Sequence, residues 1–92
     1  MSEINDQRIS NLRSAIDAVD MRIIELLQER ATLAREIGQV KRELGLAILD
    51  PSREDKIRRK LSAGQKGPMD TEQLVRIYEV IMAESRRLQE GG

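Results

Sequence analysis

Apolar side chains recur at Ile9, Leu12, Ile16, Val19, Ile23, Leu26, Leu33, Ile37, Val40 and Leu44, and Arg30 fills the one gap in the series. The steps alternate three and four residues, the heptad spacing of a helix that offers one seam to a partner, sustained for about five repeats. Asn5 or Asp6 can cap its start, Gly45 can end it, and no Pro lies between. The spacing predicts one helix over residues 6–44. At 1.5 Å per residue such a helix is roughly 55–60 Å long. A compact chain of 92 residues has a radius of gyration near ~12 Å and a diameter of about 32 Å. The helix overshoots that globule by more than ~20 Å, so its seam must meet a second chain. An intertwined homodimer is the expectation.

Leu46 to Leu49 read as a connection. Asp50-Pro51 is an N-cap followed by Pro at the first helical position. The second helix is expected over 51–63, stopped by Gly64, with a thin apolar face of Ile57 and Leu61. A loop from Gly64 through Gln65 to Met69 follows. Asp70 and Gln73 stand in capping-box register for a third helix over 70–90. Its stripe is Leu74, Ile77, Tyr78, Ile81, Met82, Ser85 and Leu88, and it ends near Gln89 or Glu90 before Gly91-Gly92. No segment alternates with the two-residue period of a strand. The fold class is all-α: three helices, one long, one short and one medium, in a single domain spanning 1–92.

Composition narrows the chemistry. The chain has 16 basic and 16 acidic side chains, no Cys, no His, no Trp and no Phe. These absences exclude thiolate nucleophiles, Cys- or His-ligated metals and Ser–His catalysis. Zero net charge and a single aromatic, Tyr78, argue against nucleic acid as a partner. No apolar run approaches the ~20 residues that span a bilayer, and the N-terminus has no apolar signal core. No membrane association and a cytoplasmic location are the expectations. Catalysis, if there is any, falls to Arg, Lys, Asp, Glu, Gln, Ser or Thr.

Several polar residues occupy apolar places. Arg30 sits in the seam, where an unpaired guanidinium is costly. It either faces an anion, sets the register, or snorkels to water. Lys41 lies three turns further on nearly the same face, about 16 Å away, so the two long side chains can converge on a small anion. Arg13 precedes Arg30 by about 25 Å of helix, and can reach such a site only from an antiparallel partner chain. Ordinary solvated charge also accounts for Arg13 and Lys41. Ser85 and Gln89, four residues apart, put neutral polar groups on the apolar face of the third helix. Arg53 and Glu54 sit in the first turn of the second, where Glu suits the helix dipole.

Taken in order, these residues resemble the all-helical chorismate mutases. The resemblance runs through Leu12-Arg13, Ile16-Asp17, Asp20, Leu26-Leu27 with Arg30, Ile37-Gly38, Lys41, Asp50, Arg53-Glu54, Ser85 and Gln89, and covers essentially the whole chain. It implies three helices per chain, interwoven as a homodimer with two shared active sites. It implies rearrangement of chorismate to prephenate, on the route to phenylalanine and tyrosine, with no cofactor and no metal. Arg30 and the partner chain's Arg13 are implied to grip the two carboxylates, and Lys41 and Gln89 to donate to the ether oxygen. Glu54 and the Asp50 backbone are implied to hold the ring hydroxyl, and Arg53 and Ser85 to support the carboxylate end. Arg13, Arg30, Lys41 and Arg53 would then gather on one anion although the chain is neutral overall.

Two rivals follow from the same residues. An isochorismate-pyruvate lyase shares this fold, but that branch usually carries an apolar residue where Glu54 stands. A non-catalytic helical dimerisation or regulatory module would explain the seam, but not Arg30, Ser85 and Gln89. Similar domains stand alone or are fused to another enzyme of aromatic biosynthesis, and Gly91-Gly92 fits either arrangement.

Overall fold

Capping side chains fix where each helix begins. In a computed structural model that describes residues 6–64 and 66–91, α1 spans Gln7–Leu44, α2 Pro51–Ser62 and α3 Thr71–Gln89. No strand occurs among the described residues. Four helix ends fall one residue inside the expected bounds, because Asp6, Ala63, Asp70 and Glu90 are the flanking caps. The Asp6 carboxylate accepts from the Arg8 backbone N–H at 2.8 Å. The Arg8 side chain beside it holds the Asp6 carboxyl below the usual carboxylate range. The alternative cap Asn5, the loop residue Gln65 and the terminal Gly92 lie outside the described residues.

The end of α1 is a Schellman turn. The Leu46 N–H donates to the Lys41 carbonyl at 2.8 Å and the Gly45 N–H to the Arg42 carbonyl at 3.3 Å. Gly45 has φ +69°, a left-handed conformation that a Cβ would strain. For α2, Asp50 accepts from the Arg53 N–H at 3.1 Å and Pro51 stands in the first turn. For α3 the box is reciprocal: Asp70 accepts from the Gln73 N–H at 2.8 Å, and the Gln73 side chain from the Asp70 N–H at 2.9 Å.

The chain divides into two compact units, one ending at Arg30 and one beginning at Ala31. The first holds the N-terminal part of α1. Its described seam is open, with Leu12 66% and Leu26 62% exposed. The second holds the last turns of α1 with α2 and α3. Its centre is Ala34, Gly38 and Met82, the last only 2% exposed. Leu74, Tyr78, Ile81, Ser85 and Leu88 are half-buried as the α3 stripe requires. Ile77, assigned to the same stripe, is exposed, because it stands at the edge of the arc centred on Tyr78, Ile81 and Ser85.

An ion-pair clasp joins α2 to α3. Arg58 donates to Glu79 through Nε at 2.6 Å and Nη2 at 3.0 Å, and to Asp55 through Nη1 at 2.7 Å. The Arg58 hydrogen bonds hold the Glu79 carboxyl below its usual range, and Glu79 in turn raises Arg58. The pair faces solvent, where such contacts orient helices more than they stabilise them.

Candidate active site

Lys41 and Gln89 are 48 positions apart and touch. Lys41 stands in the last turn of α1, where a cation complements the helix dipole. Its carbonyl is taken by the turn that brings the chain back past Leu46, and Ile48 arrives with its carbonyl oxygen 2.9 Å from Lys41 Nζ. Gln89, the last residue of α3, presents Oε1 at 3.1 Å from the same Nζ. An ammonium carries three donors and no acceptor. Two are therefore spent inside the chain and one is left. Because Nζ only donates, the Gln89 amide must turn its oxygen to Lys41, and its NH₂ is directed elsewhere as a donor.

Gly38 makes this contact possible. It is buried, and a Cβ built on it would fall 2.5 Å from Gln89 Cα. Only a residue without a side chain lets the end of α3 lie so close on α1. Arg42, one position beyond Lys41, donates through Nη1 to the Gln89 backbone carbonyl. The terminus of α3 is thus held by a helix face built from Gly38, Lys41 and Arg42.

Glu54, in the first turn of α2, is the enclosed carboxylate of this unit, its side chain 12% exposed. Its Oε2 accepts from Arg86 Nη1, and its Oε1 from Arg58 Nη2 at 3.5 Å. Asp50 is committed to capping: its carboxylate takes the Arg53 N–H, and its carbonyl accepts the Glu54 N–H at 3.1 Å. Ser85 is half-buried and its hydroxyl donates to the Ile81 carbonyl at 2.9 Å. The Arg53 side chain is exposed. In the first unit, Arg30 is half-buried at the seam and Arg13 is exposed beside Leu12.

Three contributors escape a reading of the sequence. The Ile48 carbonyl is backbone, which no residue pattern announces. Arg42 looks like one more surface cation. Arg86 did carry a signal, since it follows the buried Met82 by four residues and so shares its inward row.

Residues 12–90 match the family described as chorismate mutase type II. The bifunctional chorismate mutase/prephenate dehydratase of Neisseria gonorrhoeae is 37% identical over 84 residues, which are 91% of this chain and 23% of that protein. The chain therefore spans about a quarter of that bifunctional relative. A chorismate mutase of Methanocaldococcus jannaschii is 29% identical over 90% of this chain and 85% of its own length. Among solved structures, chorismate mutase from Thermus thermophilus superposes with a TM-score of 0.87 at 38% identity, covering 90% of this chain and 94% of that one. Chorismate mutase from Helicobacter pylori in complex with prephenate superposes with a TM-score of 0.85 at 34% identity, covering 94% and 93%.

Proposed function

Because the chain belongs to the type II chorismate mutase family, we propose that it isomerises chorismate to prephenate, as a cytoplasmic homodimer with shared sites. The reaction is a Claisen rearrangement: one C–O bond breaks as one C–C bond forms, and no atom enters or leaves. No nucleophile or base is required, which fits a chain without Cys or His. Two tasks remain for the protein. It holds a flexible dianion in its compact reactive conformer, and it stabilises the negative charge that grows on the ether oxygen.

The observation that carries this reading is the Lys41–Gln89 contact at 3.1 Å. It joins a cation and a neutral amide whose remaining N–H groups can meet at one oxygen. Lys41 and Gln89 are the donors to the ether oxygen. Arg30 and the partner chain's Arg13 hold the two carboxylates, a task suited to the guanidinium fork. Glu54 and the Asp50 backbone take the ring hydroxyl, and Arg53 supports the carboxylate end, with Ser85 joining it once its one O–H turns from the Ile81 carbonyl. The uncovered seam, open at Leu12 and Leu26, supports the dimer. The enclosed Glu54 carboxylate favours the mutase over the lyase, whose branch is usually apolar there.

Purified protein given chorismate tests the proposal, with the loss of substrate absorbance followed and the product identified. Prephenate is the expected product. Unchanged chorismate would leave the chain a dimerisation module, and faster release of pyruvate from isochorismate would make it the lyase.

A further inference from the structure

We propose that Arg86 is a positioning residue, which holds Glu54 as an oriented acceptor for the substrate's ring hydroxyl. The inference rests on the role given to Glu54 above. A carboxylate only 12% exposed is costly unless its oxygens are satisfied. Here each oxygen meets a different guanidinium, Oε2 that of Arg86 and Oε1 that of Arg58. Two guanidinium contacts from different helices fix the plane of the group. Each oxygen keeps a second lone pair able to accept a hydroxyl.

The two arginines are not equivalent. Arg58 is committed to Glu79 at 2.6 Å and Asp55 at 2.7 Å, and its reach to Glu54 is the long one at 3.5 Å. Arg86 makes the close contact. It also follows Ser85 directly and precedes Gln89 by three residues. The Glu54 carboxylate is thereby tied to the helix that carries Gln89. A purely structural clasp between α2 and α3 already exists in the Arg58–Glu79 pair. Electrostatics give Arg86 a second task. A bare carboxylate repels a dianion at close range, and an adjacent guanidinium offsets that repulsion.

The test compares two substrates: chorismate, and an analogue with hydrogen in place of the ring hydroxyl. In Arg86→Met, kcat/KM for chorismate should fall roughly 10–100-fold, the range for misaligning one hydrogen bond to a charged group. For the analogue, which meets only the uncompensated Glu54 charge, it should fall clearly less. Arg86→Lys, which keeps the charge and loses the fork, should fall between. Glu79→Gln, which weakens the clasp and removes a charge near Arg86 but keeps both guanidinium contacts to Glu54, should leave the ratio of the two substrates as in the wild type. An equal loss on both substrates in Arg86→Met, or an unshifted ratio in Arg86→Lys should the Met variant not fold, overturns the inference. A wild type indifferent to the hydroxyl would instead overturn the role of Glu54, and the inference with it.

Discussion

At the scale of single residues, Lys41 is the most constrained group of the candidate site. Two of its three N–H groups are anchored, on the Ile48 carbonyl and on Gln89 Oε1, so the third has a fixed direction before any ligand arrives. Such preorganisation is what makes a donor to a developing oxyanion effective, and removing one donor typically costs about 10²–10³ in rate. Lys41→Ala is expected to lose at least that much in kcat while its helical circular dichroism is retained. Near-normal turnover would refute the assignment. Gln89 sets the pH behaviour. A neutral amide donates at any working pH, so the native enzyme should show a broad neutral optimum. In Gln89→Glu the introduced carboxyl donates only when protonated, and the Lys41 ammonium beside it favours the charged form. Its activity should therefore rise as pH falls. An unchanged pH–rate profile would show that Gln89 does not touch the ether oxygen.

Helix types and ends were legible because they rest on local chemistry. Asp50, Asp70, Gln73 and Gly45 each perform the capping that their spacing announces. Arg30, Ser85 and Gln89 were legible as polar residues in apolar places, and Lys41 only through its three-turn distance from Arg30. The pairs that span helices were not legible. Nothing in the order of residues tells Arg86 to meet Glu54, or Arg42 to meet the end of α3. The central element-scale contact is Gly38 against Gln89. Alanine is the better helix former by about 1 kcal/mol, so Gly38→Ala would stabilise α1 taken alone. In the fold its Cβ would meet the Gln89 backbone, and overpacking of this kind costs roughly 1–3 kcal/mol. The variant should melt at a lower temperature and lose kcat more than it raises KM, since the displaced group is the end of α3. A higher melting temperature with full kcat would mean that the two helices do not approach so closely.

At the scale of the whole molecule, the seam of α1 decides the assembly. Fully burying one Leu or Ile contributes about 1.5–3 kcal/mol, and Ile9, Leu12, Ile16, Val19, Ile23 and Leu26 are all exposed in the single chain. A chain with a core as small as Ala34 and Met82 gains more from covering that seam than from any contact within itself. The proposed dimer should therefore persist at micromolar concentration, with twice the 10.5 kDa mass of the chain. Shared sites make a sharper demand than mass. If each site takes Lys41 from one chain and Arg13 from the other, Arg13→Ala and Lys41→Ala are each inactive as homodimers. Unfolded together and refolded, they should recover activity. A mixed dimer pairs the intact Lys41 of one chain with the intact Arg13 of the other, which restores one of its two sites. Random pairing makes half of the dimers mixed, so an equal mixture should reach about a quarter of wild-type activity. Mixed dimers verified by mass but still inactive would show that Arg13 serves the site of its own chain. In that case the seam would hold the subunits together without completing their sites.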